Sequence, residues 1–187
     1  MLSSLSLMSV LMMLVRHADR VKIGCMTVGL FTIGHDENHA WKQIGYYPFE
    51  MMIRYARGIS LQPVTDGPCF DAPGYNLDDF NQAPEFKNLP YIETAAALNE
   101  EAGELTVFAI NRCWEEDLPL ELDVSAFEGY TLKEHVELFT EDLYAHNTGE
   151  NPDLVTPQVN TESSMKDGVI SAGLKKLSFS MFRLVKE

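Results

Sequence analysis

A continuous apolar run, LTVFAI at residues 105–110, is the strongest hydrophobic pattern in the chain. It is rich in β-branched and aromatic residues, a composition typical of a strand buried in a sheet or sandwich core. Residues 92–97 form a second strand-like stretch, and the polar segment 99–104 between the two contains Gly103, as a hairpin loop requires. The pattern predicts a β-hairpin at the centre of a β domain that fills the C-terminal two thirds of the chain.

Further strands are predicted after this hairpin. Residues 118–124 alternate between apolar and polar positions, which is typical of a half-buried strand. Residues 131–140 alternate less regularly, and residues 177–182 suggest a last strand with an irregularity such as a bulge. Asp167-Gly168 marks a turn. Short strands with turn signals at this spacing predict an antiparallel β-sandwich, with a jelly roll as the preferred form.

The N-terminal region has a different pattern. Residues 1–15 are apolar on nearly every face, without the basic start or cleavage site of a signal peptide. A membrane span needs roughly 20 apolar residues, and Arg16 ends this stretch before that length is reached, so a buried helix is favoured. Residues 21–33 predict a buried strand, and a second helix is predicted from Pro48 to Gly58. Helix, turn and strand in succession are typical of an α/β unit, so we expect the chain to begin inside a larger domain.

Prolines separate these two regions. Five prolines in residues 61–90 exclude a regular helix there. Residues 60–65 predict an edge strand, and residues 66–90 predict a long loop. We therefore expect three parts: residues 1–58 from an α/β domain, a connector at 59–90, and a β-sandwich at 91–187.

The charge balance limits the possible partners. The chain has 14 Lys and Arg residues against 28 Asp and Glu residues, a formal net charge of −14. Such a surface repels phosphate backbones and anionic lipid, which argues against nucleic acid or membrane as a partner. A neutral substrate such as a sugar is compatible with this charge.

Cysteine usage indicates a reducing compartment. Cys25, Cys69 and Cys113 are far apart, odd in number, and include no CxxC pair. This argues against a disulfide framework or a structural zinc site. We expect reduced, mostly buried thiols in a cytosolic protein.

A histidine pair raises the question of a metal site. His35 and His39 are four residues apart and would share a helix face. The metalloprotease pattern needs Glu directly after the first His, where this chain has Asp36, and no third ligand is evident. The pattern favours a solvated loop, and no metal or other cofactor is assigned.

Two further groups leave alternatives open. Aromatic residues around the second predicted helix could line a sugar site, but their spacing favours packing; they are Trp41, Tyr46, Tyr47 and Tyr55. A glycosidase needs two carboxyl groups about 5 to 9.5 Å apart. The adjacent acidic pairs are better explained as solvated turns; they are Glu100-Glu101, Glu115-Glu116 and Asp78-Asp79.

The histidines without a neighbouring nucleophile are interpreted as structural; they are His17, His135 and His146.

Several blocks, in this order, resemble the C-terminal part of family 51 glycoside hydrolases, the α-L-arabinofuranosidases. The blocks are RHADRVKIGC, AWKQIGYYPF, RYARGISLQPV, PYIETAAALNEEAGELTVFAINR, FEGYTLKEHVEL and LSFSMFRL. The resemblance implies a (β/α)8 barrel followed by a jelly roll, and release of terminal arabinofuranosyl groups from arabinose-containing glycans by a retaining mechanism. It also implies a homo-oligomer, and makes residues 1–58 the last barrel helices and the eighth strand.

In this family the acid/base and nucleophile glutamates lie on barrel strands that precede the segment matching this chain. The sequence therefore assigns no catalytic residue and no substrate-binding residue here. Many members carry an amide side chain after the eighth strand, whereas this chain has Thr27 and Val28 near that point. An alternative hypothesis is a non-catalytic carbohydrate-binding β-sandwich that uses aromatic residues such as Trp114 or Tyr144.

Overall fold

The computed structural model describes residues 1–25, 32–78 and 82–187. Within these ranges the chain forms helices α1 (Leu2–Arg16) and α2 (Tyr46–Tyr55). The strands are β1 (Ile33–His35), β2 (Ala40–Lys42), β3 (Ile59–Leu61), β4 (Cys69–Ala72), β5 (Tyr75–Asn76), β6 (Gln82–Ala83), β7 (Phe86–Pro90), β8 (Ile92–Asn99), β9 (Glu104–Asn111), β10 (Leu118–Asp123), β11 (Tyr130–Leu138), β12 (Gln158–Val159), β13 (Ser164–Lys166), β14 (Val169–Leu174) and β15 (Ser178–Lys186).

A six-stranded sheet is the main element, with strand order β12-β11-β15-β9-β8-β3. All its neighbouring strands are antiparallel. The predicted hairpin is β8 and β9, paired from Ile92 with Asn111 to Asn99 with Glu104. Gly103 takes φ +63° in the turn, a conformation that glycine adopts without steric cost. The central hairpin is confirmed.

This sheet is buried on both faces. On one face, Leu105 and Val107 pack against Leu120 and Ile170 of a three-stranded sheet ordered β10-β14-β13. The two sheets form the predicted antiparallel sandwich. On the other face, residues such as Phe108 belong to a second core with both helices. The apolar run in β9 is therefore continuous because successive side chains enter two different cores.

Helix α1 covers the outer face of the large sheet. Leu5, Met8 and Met12 are buried there, which confirms a buried N-terminal helix. Its burial is not complete, since Val10 is 44% and Met13 40% exposed. The helix therefore has one apolar side in the core and another apolar side at the surface.

Helix α2 begins two residues before Pro48, so the proline lies in the first helical turn as predicted. Tyr47 and Met52 are buried against the sheet. The chain leaves the helix at Ala56 and turns at Gly58, where φ is +86°. Strand β3 follows at once and pairs with β8 at the edge of the sheet, as the sequence predicts.

Three local predictions are wrong in detail. The sequence predicts a buried strand over residues 21–33, but residues 21–25 contain no strand and Ile23 is 83% exposed, because this segment lies outside both cores. Residues 26–31 of the predicted strand lie outside the described residues. The predicted loop 66–90 contains two short antiparallel strand pairs, β4 with β7 and β5 with β6. The irregularity expected in the last strand falls in its partner, between Leu132 and Glu134 of β11.

Candidate functional site

A buried carboxylate lies between α1 and the large sheet. Glu93, on β8, has a side chain only 9% exposed. It pairs with Arg16 of α1, accepts a hydrogen bond from Ser9 Oγ at 2.9 Å, and lies 3.4 Å from Arg112 Nη1. Burial of a charge costs several kcal/mol unless it is paired and hydrogen-bonded. This ion cluster of Glu93, Arg16 and Arg112 meets that condition.

Arg112 connects the cluster to a surface cleft. Burial lowers the pKa of its guanidinium, while Glu93 acts in the opposite direction. Nη2 donates to the Pro90 carbonyl at 2.5 Å, and the guanidinium carbon lies 5.6 Å from the ring centre of Phe70. Within the part of the chain that the structure describes, Nε is the buried side-chain polar atom without a hydrogen-bond partner.

The cleft lies between α1, β4 and the segment that follows β9, and its volume is about 810 Å³. Phe70 and Tyr91 line it as a tilted aromatic pair with ring centres 4.9 Å apart. Trp114, 59% exposed, also lines it, as do Arg112 of the ion cluster and Ser9, which donates to Glu93. We call this the Trp114 cleft.

The aromatic group around α2 packs within the chain. Tyr46 and Tyr47 meet edge to face with ring centres 6.1 Å apart, and Lys42 Nζ lies 4.5 Å from the Tyr46 ring centre. Tyr55 lies 5.2 Å from the guanidinium carbon of Arg183. These contacts agree with the packing interpretation of the sequence.

Trp41 belongs to a separate hydrogen-bonded cluster around Asn147. Trp41 Nε1 and Gln43 Nε2 both donate to the Asn147 carbonyl at 2.9 Å. The Asn147 side chain is fully buried and donates to the carbonyls of Lys42, at 2.9 Å, and Val155, at 3.1 Å. The cluster fixes the long loop that follows β11 onto the segment before α2.

Residues 35–39 form the exposed turn of the β1–β2 hairpin, in agreement with a solvated loop. Asp36 Oδ1 accepts the backbone N–H groups of Asn38 at 2.8 Å and His39 at 2.7 Å. These bonds lower the pKa of the Asp36 carboxyl. Across residues 1–25, 32–78 and 82–187, no three His, Cys, Asp or Glu side chains come together as a possible metal site.

His135 is a buried structural group. It lies in the sandwich, hydrogen-bonded to Ser163 Oγ at 2.6 Å and Ser180 Oγ at 2.9 Å. Its ring stacks on Phe182 with centres 4.1 Å apart. Burial lowers the pKa of His135 from 6.5 to about 4. The imidazole is therefore neutral at pH 7.

The acidic pairs lie in exposed segments, as predicted, and Asp79 is outside the described residues. The expectation of mostly buried thiols is wrong. All three cysteines are free, but only Cys113 is buried, since Cys25 and Cys69 lie in segments outside the two cores. Thr27 and Val28 lie outside the described residues.

Sequence reasoning missed the ion cluster. The available signal was a charged residue, Glu93, within a strand that is otherwise mostly apolar. Its partners could not be identified, because Arg16 is 77 residues away along the chain.

Among the helices that the structure describes, none is both long and apolar enough to cross a membrane.

These features define a β-sandwich domain whose larger sheet is covered by two helices. The chain belongs to the α-L-arabinofuranosidase C-terminal domain family, whose profile matches residues 1–178. The resemblance to the C-terminal part of family 51 arabinofuranosidases is thereby confirmed.

Curated relatives match along almost the whole chain. An intracellular exo-α-(1→5)-L-arabinofuranosidase of Halalkalibacterium halodurans is 36% identical over 183 residues, covering 96% of this chain and 34% of the relative. An enzyme of the same name from Acetivibrio thermocellus is 34% identical over 181 residues, covering 94% of this chain and 34% of the relative. This chain therefore spans about a third of the length of these relatives.

Solved structures show the same fold. A family 51 α-L-arabinofuranosidase from Bifidobacterium longum matches with TM-score 0.77 and 25% identity, covering 96% of this chain and 34% of that one. An α-L-arabinofuranosidase from Thermotoga maritima, solved as an arabinose complex, matches with TM-score 0.82 and 20% identity, covering 98% of this chain and 38% of that one.

Proposed function

We propose that this chain is the C-terminal part of an α-L-arabinofuranosidase. The whole enzyme would hydrolyse terminal non-reducing α-L-arabinofuranosyl groups of arabinose-containing glycans. The observation that carries this proposal is the family match over residues 1–178, together with relatives of that activity that align along nearly the whole chain. The net charge of −14 is compatible with a neutral glycan.

The division of labour within that enzyme is part of the proposal. Residues 1–58 would belong to the catalytic barrel, residues 59–90 to a connector, and residues 91–187 to the sandwich. The exposed apolar side chains on α1, Val10 and Met13, support a further packing partner for this helix. The two catalytic glutamates of a retaining mechanism would lie outside these 187 residues, and the chain alone would be inactive.

The cellular location and the assembly of the enzyme are further parts of the proposal. Both relatives described above are named intracellular enzymes, which supports a cytoplasmic protein. The free state of all three cysteines is consistent with a reducing compartment. A homo-oligomeric enzyme is proposed on the family resemblance.

The first test is an assay of the 187-residue chain with p-nitrophenyl α-L-arabinofuranoside. We expect no release of nitrophenol, because the two catalytic glutamates of the proposed mechanism would lie outside these 187 residues. Measurable turnover by the chain alone would contradict the proposed location of the catalytic groups.

The second test is a chimera. The matched third of the Halalkalibacterium halodurans relative is replaced by this chain, and hydrolysis of the same substrate is measured. We expect activity, because the sandwich and both helices would restore the packing that the rest of the enzyme needs. The control is the relative truncated before the matched segment.

An inactive but folded and monodisperse chimera would count against the assignment.

Proton NMR of the first product that the active chimera releases tests the retaining mechanism separately. Retention predicts the α anomer as the first product, and initial appearance of the β anomer would overturn that part of the proposal.

A further inference from the structure

We propose that the Trp114 cleft binds a neutral arabinofuranosyl oligosaccharide. The identity of the sugar rests on the proposed function, whereas the existence of a glycan-binding cleft rests on the structure of this domain. The volume of about 810 Å³ falls within the roughly 300–1,000 Å³ of small-molecule sites.

Trp114 supplies the stacking surface. It follows the end of β9 and keeps 59% of its surface exposed while lining the cleft. An indole presents a large, electron-rich face, and the C–H groups of a sugar ring carry partial positive charge, so the two surfaces attract. Large exposed aromatic side chains that line a concave surface are typical of ligand sites.

The second aromatic wall is already positioned. Phe70 of β4 and Tyr91, directly before β8, pack at 4.9 Å between ring centres. Arg112 lies over the Phe70 ring and is itself held by Glu93 and the Pro90 carbonyl. Because these groups support one another, ligand binding would not have to order them, which lowers the entropic cost of association.

The cleft also contains the polar groups that hydroxyls need. A guanidinium has five N–H donors; that of Arg112 Nε is buried, and the bonds to Glu93 and Pro90 leave one N–H group each on Nη1 and Nη2. Asp71 contributes a carboxylate, and Ser6 contributes a hydroxyl that both donates and accepts. A sugar hydroxyl is likewise both donor and acceptor, so it can bind to either kind of group.

The charges of the cleft favour a neutral ligand. Arg16 and Arg112 share the Glu93 carboxylate, so this group carries one excess positive charge. Asp71 and Glu85 share the Lys87 ammonium, so that group carries one excess negative charge. Neither sign prevails at the cleft, and the chain as a whole repels polyanions with its charge of −14.

The test is isothermal titration of linear α-(1→5)-arabinotriose into the 187-residue chain and three variants. We expect a dissociation constant in the millimolar range or tighter for the unaltered chain. Trp114→Ala should weaken binding by about tenfold or more, and Trp114→Phe should recover part of it. The matched control is Tyr144→Ala, which removes an aromatic side chain that is 83% exposed and does not line this cleft.

Three results would overturn the proposal. They are undetectable binding to the folded chain, equal binding by the Trp114→Ala variant, and equal affinity for cellotriose. The last result would refute the arabinofuranosyl ligand. Because this experiment measures binding and not hydrolysis, its failure would leave the proposed enzyme activity standing, and an inactive chimera would not affect the binding result.

Discussion

Arg16, in the last turn of α1, donates a charge-assisted hydrogen bond to the buried Oε1 of Glu93 on β8. A second donor of the same guanidinium, Nη1, reaches the Thr94 carbonyl at 3.2 Å. These bonds attach the helix to the central hairpin at one defined position. Apolar packing alone is non-directional, whereas this ion pair is directional, and it acts on the placement of the helix together with the bond from Ser60 Oγ to the Val15 carbonyl at 2.7 Å.

The ion cluster gives the first prediction. Glu93→Ala should destabilise the chain by about 3–5 kcal/mol, because it leaves Arg16 and Arg112 without their shared counter-charge in a buried site. Urea denaturation followed by circular dichroism measures the change. The control is Glu85→Gln, whose exposed pair with Lys87 should contribute less than about 1 kcal/mol. Equal effects of the two substitutions would contradict a structural role for the cluster.

His135 gives a pH dependence. Its folded pKa of about 4 lies below the ordinary value of 6.5, so below pH 6.5 the unfolded chain binds a proton that the folded chain excludes. The contribution of neutral, buried His135 to the free energy of unfolding is complete above pH 6.5 and is lost as the pH falls towards 4. Between pH 7 and pH 5 the loss should be about 2 kcal/mol.

Denaturation curves at these two pH values test this effect. His135→Asn should remove that part of the pH dependence, whatever its effect on stability at pH 7. An unaltered slope in the His135 variant would show that another group is responsible.

The turn at Gly58 tolerates only glycine. Its φ is +86°, and a Cβ atom would lie 2.3 Å from the Leu98 carbonyl oxygen on the neighbouring strand. Gly58→Ala should therefore cost about 2 kcal/mol or more, through strain and displacement of β3 from the sheet edge. Thermal denaturation measures it against Gly67→Ala, where a Cβ meets nothing within 4 Å. A Gly67→Ala effect beyond about 0.5 kcal/mol would not fit this geometry.

Asn147 gives a prediction for the loop after β11. Asn147→Asp replaces an amide that donates to Lys42 and Val155 carbonyls with a carboxylate that faces both oxygens. We expect a loss of about 2–4 kcal/mol and faster proteolysis within residues 139–157. Asn151→Asp, at an exposed position of the same loop, is the matched control. Equal protease resistance of the two variants would contradict the assigned role of the Asn147 side chain.

Most of the secondary structure around the cores could be predicted. Helix α2 and the half-buried strand β10 follow from the local periodicity of apolar residues. The hairpin of β8 and β9 follows instead from a continuous apolar run next to a polar turn that contains Gly103, and helix α1 from an apolar stretch too short to span a membrane. Residues 21–25 show the limit of this reasoning. They are apolar enough for a strand, but a strand also needs a neighbour to pair with, and they have none in the described chain.

Local patterns were enough to predict the β-sandwich class and the two helices, and the resemblance of several sequence blocks indicated the family, since each of these signals lies in short consecutive stretches. The two-sided burial of the large sheet depended instead on which elements pack against it. The same is true of the ion cluster and the Trp114 cleft. Arg16, Glu93 and Arg112 are distant in sequence, and Coulomb attraction and desolvation act on separation in space, which only the folded chain defines.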